Sequence, residues 1–353
     1  MATYLEPQAR LAIYAPGEFG KSHSKTAVGV IRYGRNPVAA VIDAELAGQS
    51  VRKAVGLNCD APIVASVADS LEHKPTALLL GTAWTGGELP KAWRADILQA
   101  LESGMDVVNG LHDFLEDDEE IASTARRLNR RLFDVRKPPE KLPVGEGAAR
   151  KLKQHVCLTV GTDCAVGKMT VSLELDNEAR KRGLKSSFIA TGQTGIMICG
   201  EGIAIDRVIG DFMAGAVEEM VVSAAKDSDF VFVEGQGSLS HPGFSGVSLS
   251  LIHGAAPKSM ILCTKATKTN ICELDLPLPS LTRTITACEE MASLLRPAKV
   301  VGVAINTWGM SDKDAATAIA KAREETGLPC ADPVRNGVTE LFDAIIRYEE
   351  KTK

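Results

Sequence analysis

Short apolar runs alternate with helical patterns from one end of the chain to the other. In the first part, Arg10–Tyr14, Val38–Asp43, Ala77–Gly81 and Asp106–Asn109 predict strands. Ser24–Tyr33, Lys91–Ser103 and Asp118–Arg131 predict helices. The strand runs do not alternate apolar with polar, so both of their faces should be buried, as in a parallel sheet covered by helices. The stretch "DVRKPPEKLPVGEGAARK", rich in Pro, Gly and charge, then reads as a linker. Beyond it the alternation restarts, with strands at His155–Val160, Ser186–Thr191, Phe230–Glu234, Ser259–Thr264 and Val300–Asn306. Helices are expected at Lys168–Arg182, Asp211–Lys226, Thr284–Leu295 and Asp312–Thr326. The pattern predicts two α/β domains, 1–140 and 141–353, each built on a parallel sheet.

Composition narrows the function classes. The chain has 353 residues, 45% hydrophobic and 24% charged, enough for two cored domains. A net charge of -5 gives no help to a polyanion, so nucleic-acid binding and a basic membrane patch are poor expectations. The eight cysteines are scattered, with no CxxC pair and no Cys/His cluster at zinc spacing. No metal site is expected from spacing, and reduced thiols point to a cytoplasmic protein. The N-terminus lacks the basic and apolar regions of a signal peptide, and no run is long enough to span a bilayer.

In open parallel sheets ligands collect where strand ends lead into helix N-termini. The best such turn is Gly161–Lys168 in "HVCLTVGTDCAVGKMTVS". Gly161, Thr162, Asp163, Cys164, Ala165, Val166 and Gly167 can direct backbone N–H groups at one anion, and Lys168 adds a charge. The strict phosphate-loop pattern is nevertheless broken twice. Five residues rather than four separate Gly161 from Gly167, and Met169 stands where a Ser or Thr would hold magnesium. Thr170 is turned about 100° further round the helix. Phosphate binding is therefore expected, and hydrolysis does not follow from it. A second turn, ending in Gly20-Lys21-Ser22, misses the same pattern only at its first glycine; it reads equally as an anion site or as a plain turn capped by Ser22 or Ser24.

Other strand ends carry candidate chemistry. In "FVFVEGQGSLSHPGFSG", Glu234 ends an apolar strand, where burial tends to raise a carboxylate's pKa and suits it to act as a base. The alternative is a carboxylate that caps a helix or holds magnesium. Gln236, Ser238, Ser240 and His241 supply hydrogen-bonding groups. Thr191, Gln193 and Thr194 follow another strand, and Asn306 ends the last long one, with a side chain able to hydrogen-bond a purine edge. Asp206, Arg207 and Asp211 flank the same region. In the first part, Trp84, Gly86, Gly87 and His112 are candidates for closing over a ligand.

"GTDCAVGKMT" with "VEGQGSLSHP" and a strand-end Asn resembles the dethiobiotin-synthetase branch of phosphate-loop proteins, whose loop also has the extra residue. Across nearly the whole chain, "GKSHSKTAVGVIRY", "VIDAELAG", "TGGELP", "GLHDFL", "DVRKP", "TGQTG" and "EGQGSLSHPG" resemble a two-domain family, formerly of unknown function, associated with D-glutamate N-acetyltransferase activity. The resemblance implies a Rossmann-like N-terminal domain and a P-loop NTPase-like C-terminal domain. It also implies transfer of acetyl from acetyl-CoA to the amine of D-glutamate. On that basis Gly161–Thr170 would grip the coenzyme A phosphates and Asn306 the adenine. Glu234 or His241 would handle the proton, and backbone N–H groups near Gly235–Ser238 would hold the oxyanion. Lys21, Arg207 and Lys265 are then candidates for the two substrate carboxylates, with Gln193, Thr194, Gln236 and Ser238 lining the substrate. A homo-oligomer is expected, as for many such enzymes.

The competing expectation is an ATP- and magnesium-dependent enzyme of the dethiobiotin-synthetase kind that activates a carboxylate. It would use Lys168, with Thr170 and Glu234 on the metal. Met169 counts against it. A non-catalytic nucleotide sensor is the third class, and the convergence of Glu234, Gln236, Ser238 and His241 in one turn counts against that.

Overall fold

The computed structural model describes residues 5–82, 87–272 and 274–352. The chain divides into two compact units. The first comprises Met1–Pro138 together with Gln193–Ala204, and the second comprises Pro139–Gly192 and Ile205–Lys353. The sequence reading placed a single boundary at residue 140 and did not foresee the returning segment. Among the described residues, no helix is long and apolar enough to cross a membrane.

The first unit contains β1 (Leu11–Tyr14), β2 (Val38–Ile42), β3 (Ile63–Val64), β4 (Ala77–Leu80), β5 (Asp106–Asn109) and β6 (Leu132–Asp134). They form one sheet in the order β3-β2-β1-β4-β5-β6, with every pairing parallel. The order reverses between β1 and β4, as in a Rossmann-like sheet. β1 and β4 are buried at all four positions, which is why their sequences show no alternation. The returning helix Gln193–Cys199 packs beside helix Lys25–Tyr33, where the Thr26 and Thr194 hydroxyls meet at 2.8 Å. Gly110 leaves room for this helix: a Cβ there would lie 2.8 Å from Met197 Cε and 3.1 Å from Gln193 Cγ.

The second unit contains β7 (His155–Gly161), β8 (Ser186–Ile189), β9 (Phe230–Val233), β10 (Ser259–Lys265), β11 (Lys299–Asn306) and β12 (Cys330–Ala331). Their order is β12-β11-β10-β7-β9-β8, again all parallel. β7 lies at the point of reversal, so the loop that follows it emerges at the crevice of the sheet. Its core joins Phe230 and Phe232 on β9 to Leu341, Phe342 and Ile345 of helix Thr339–Thr352, with the Phe232 and Phe342 rings 6.2 Å apart. Each such side chain contributes about 1.5–3 kcal/mol by leaving water. The α/β class with parallel sheets agrees with the sequence reading. The short strands β3, β6 and β12 and the helices at 193–199, 245–255 and 339–352 were not foreseen.

Candidate active site

The site of the second unit is built on the carboxyl ends of β7, β9, β10 and β11. β7 ends in Gly161, and the loop turns through Ala165 (φ 54°) and Gly167 (φ 109°) into helix Lys168–Lys181. None of the N–H groups from Asp163 to Gly167 meets an acceptor among the described residues. Lys168 is buried, and its ammonium donates to the Asp163 carbonyl at 2.7 Å. Its stem crosses two glycines. A Cβ on Gly161 would come within 2.9 Å of Lys168 Nζ, and one on Gly235 within 3.0 Å of its Cδ and 1.7 Å of the Thr159 carbonyl. The two glycines therefore fix where the lysine runs. A row of unpaired donors beside a lysine at a helix start is the arrangement that binds phosphate.

The turn after β1 has a similar sequence and a different outcome. The N–H groups from Glu18 to Lys21 are consumed internally: Glu18 by the Ala15 carbonyl, Phe19 by Asp43 at 3.0 Å, Gly20 by Ser24 Oγ at 2.9 Å, and Lys21 by the Glu18 carbonyl. Lys21 itself bonds Glu45 at 2.8 Å and the Gly17 carbonyl at 2.5 Å, and the carboxylate neighbour raises its pKa. With its donors spent and carboxylates around it, this turn has the geometry of a plain turn. The sequence showed the glycines and the lysine but could not show where the N–H groups point.

Behind the phosphate-type loop, Glu234 is buried and its Oε2 accepts from Thr191 N at 3.0 Å and Gly192 N at 3.3 Å. The carboxylate thus ties the end of β9 to the turn after β8, which Thr191 Oγ1 reinforces by donating to the Glu234 carbonyl at 2.7 Å. Gln236 Nε2 reaches Thr191 Oγ1 at 3.3 Å, passing over Gly192, where a Cβ would sit 2.5 Å from it. The Gly235 N–H is taken by Thr159 Oγ1 at 3.0 Å, so that part of the expected oxyanion contact is unavailable. The N–H groups of Gln236, Gly237 and Ser238 make no hydrogen bond to a described residue. Ser238 Oγ and Ser240 Oγ both donate to the Thr162 carbonyl, at 3.0 and 3.2 Å, and dock this turn on the loop. His241 is buried, with Nδ1 accepting from Gly243 N at 3.1 Å and its ring tilted against that of Phe244, centroids 4.5 Å apart.

On the other side of β7, Thr162 N donates to the Cys263 carbonyl of β10 at 3.0 Å, and the Thr162 and Thr264 hydroxyls meet at 3.1 Å. Two residues further, Lys265 pairs in register with Asn306 of β11. Asn306 Oδ1 accepts from Trp308 N at 3.0 Å, and Lys265 Nζ lies 5.9 Å from the Trp308 ring centroid. Trp308 is 77% exposed, an unusual state for a residue of its size. The sequence pattern assigned it nothing. It also missed Lys268, whose ammonium lies 2.5 Å from Asp163 Oδ2.

Met169 and Thr170 are half-buried at the helix start, and Arg207 lies on the surface of the second unit in the turn Ile205–Arg207. Gln193 and Thr194 belong to the first unit. There Gly87 and His112 touch, with His112 N donating to the Gly87 carbonyl at 2.8 Å. Trp84 and Gly86 lie outside the described residues.

Similar proteins bear on this site. A family described as a domain of unknown function, the DUF1611 P-loop domain, matches residues 143–342, and its companion, the DUF1611 Rossmann-like domain, matches residues 44–138. A Tritonibacter scottomollicae protein named D-glutamate N-acetyltransferase is 40% identical over 277 residues, 76% of this chain and 80% of its own length. A Pseudoalteromonas protein of the same name is 39% identical over 278 residues, 78% of this chain and 83% of its own. The crystal structure of a DUF1611 family protein from Anabaena variabilis matches with a TM-score of 0.92 and 42% identity, over 96% of this chain and 100% of that one.

Proposed function

Because the chain belongs to the two-domain DUF1611 family, we propose that it is an N-acetyltransferase that moves acetyl from acetyl-CoA to the amino group of D-glutamate. Two relatives of about 40% identity that carry this activity in their name support the reading. The observation that carries the co-substrate is the open row of N–H groups from Asp163 to Gly167 beside Lys168, with Met169 where a magnesium ligand would stand. Such a cradle holds a phosphate group of coenzyme A without needing a bridging metal. The adenine then lies against Asn306 and Trp308.

In the transfer step the substrate ammonium loses a proton, and its nitrogen attacks the thioester carbonyl. The oxyanion is held by N–H groups of Gln236, Gly237 and Ser238. The attacking nitrogen gives up its second proton as the C–S bond breaks, and coenzyme A leaves as a thiolate that takes up that proton. Glu234 is the proposed base; Thr191 and Gly192 hold its carboxylate still. Lys265 and Arg207 are the proposed partners of the substrate carboxylates; Lys21 is dropped because Glu45 already occupies it.

The test is calorimetric titration with acetyl-CoA, and with ATP with and without magnesium, followed by an assay with D-glutamate. Binding of acetyl-CoA without added magnesium, and turnover of D-glutamate, are expected. Tight ATP binding that needs magnesium, with no acetyl-CoA binding, would instead favour the carboxylate-activating enzyme. Glu234→Gln should lower kcat by about 10²–10⁴-fold while leaving acetyl-CoA binding intact. A variant with full turnover removes Glu234 from the role of base.

A further inference from the structure

Asp163 is fully buried, and its two carboxylate oxygens are treated differently. Oδ2 accepts from Cys272 N at 2.6 Å and lies 2.5 Å from Lys268 Nζ. Oδ1 is buried with no hydrogen-bond partner. A buried carboxylate oxygen left bare calls for an explanation, since native proteins satisfy almost all such atoms. Beside it stand two more potential ligands: Cys164 and His241 each offer an atom, and these and a carboxylate oxygen of Asp163 all lie within 4.8 Å of one another.

We infer that Asp163, Cys164 and His241 form a binding site for a divalent transition metal of the zinc class. The donor set is the argument for the class. A thiolate, an imidazole and a carboxylate suit zinc, whereas magnesium prefers oxygen ligands alone. Three protein ligands leave a fourth position for water or another oxygen ligand. The cation supplies the partner that Asp163 Oδ1 lacks, while Lys268 keeps Oδ2. His241 Nδ1 holds the Gly243 N–H, so the neutral ring carries its proton on Nε2. Either ring nitrogen can serve the metal at the cost of that one hydrogen bond, and Gly243 is exposed, so its N–H passes to water. Cys164 gives up its thiol proton to solvent when the metal binds.

The same trio could be imagined as a cysteine nucleophile with a histidine base. That pairing needs the imidazole in hydrogen-bond reach of the thiol, whereas His241 Nδ1 holds the Gly243 N–H and no hydrogen bond joins Cys164 to His241 among the described residues. A metal ion deprotonates a ligating thiol outright. Under this assignment His241 is a positioning residue rather than an acid or base, and the metal joins the phosphate-type loop to the turn that carries Gln236 and Ser238. Cys/His spacing could not reveal the site, because its ligands come from two loops that only the sheet brings together.

The test uses the full chain and does not depend on the proposed reaction. The protein is reconstituted with zinc or cobalt(II), desalted and measured for metal content, together with Cys164→Ser, His241→Gln and, as a control, Cys199→Ser in the other unit. About one metal per chain is expected in the wild type and the control. Both site variants should lose it by roughly tenfold or more, since even an outer partner of a metal ligand is worth 10–100-fold in affinity. The cobalt form should show a thiolate charge-transfer band that Cys164→Ser lacks. A wild type that stays metal-free after reconstitution overturns the site, whether or not acetyl-CoA binds. So does zinc retained equally by both variants, or acetylation of Cys164 by acetyl-CoA seen by peptide mass spectrometry.

Discussion

Replacing Lys168 by methionine isolates the charge at the phosphate-type loop. The side chain is only 6% exposed and runs over Gly161 and Gly235 to reach the Asp163 carbonyl. Methionine keeps a similar length and volume along that path, so packing should change little. What disappears is the ammonium, both as a charge and as a donor to a bound phosphate. A hydrogen bond to a charged group is worth about 1.5–3 kcal/mol. At about 1.4 kcal/mol per decade, the Kd for acetyl-CoA should rise by roughly 10- to 140-fold. The measurement is calorimetric titration of both proteins at one ionic strength, with circular dichroism to confirm that the variant is folded. The open N–H groups from Asp163 to Gly167 remain, so residual binding is expected rather than none. A folded variant whose Kd stays within about threefold of the wild type would refute the assignment, because it would leave Lys168 less than the smallest value for a charged hydrogen bond.

Three further outcomes are expected. Gly235→Ala places a Cβ 1.7 Å from the Thr159 carbonyl and should cost about 1–3 kcal/mol or more in thermal or denaturant unfolding, whereas Gly246→Ala, in open space within helix Ser245–Ala255, should gain about 0.5–1 kcal/mol; equal effects at the two sites would contradict the packing. Trp308→Ala should weaken acetyl-CoA binding by about 1–3 kcal/mol, the usual worth of a base stacked on an aromatic ring, while leaving acetyl-pantetheine, which lacks the base, unaffected in competition. Burial acts to raise the Asp332 carboxyl, but the Thr307 hydroxyl and the N–H groups of Arg335, Thr307 and Val334 outweigh it and hold the pKa below the usual range. A depressed folded pKa gives stability that is present above the unfolded value, near 4, and lost as pH falls through the folded one. Melting temperature followed against pH should show this acid loss in the wild type and not in Asp332→Asn.

Much of this protein was legible in the sequence because it depends on local patterns. Apolar runs without alternation marked β1, β2, β4, β5 and all the long strands of the second unit, because a strand buried on both faces has no polar side to show. The glycine-bearing turn at Gly161–Lys168 and the acidic end of β9 at Glu234 stood out for the same reason: each is a short stretch whose residue types constrain its own backbone. Strands of two or three residues such as β3 and β12 left too little pattern to see.

Tertiary structure decided what local pattern could not. Two turns with similar sequences differ in whether their N–H groups are spent, because Asp43 and Ser24 accept from one turn and no described acceptor meets the N–H groups from Asp163 to Gly167 in the other. The segment Gln193–Ala204 follows β8 in the chain yet belongs to the first unit, a choice made by its packing beside helix Lys25–Tyr33. Asp163 and Cys164 meet His241 only because β7 and β9 are neighbours in the sheet although some seventy residues separate them in the chain. Sequence determines which groups a strand end presents; the order of strands determines which of those groups share a crevice.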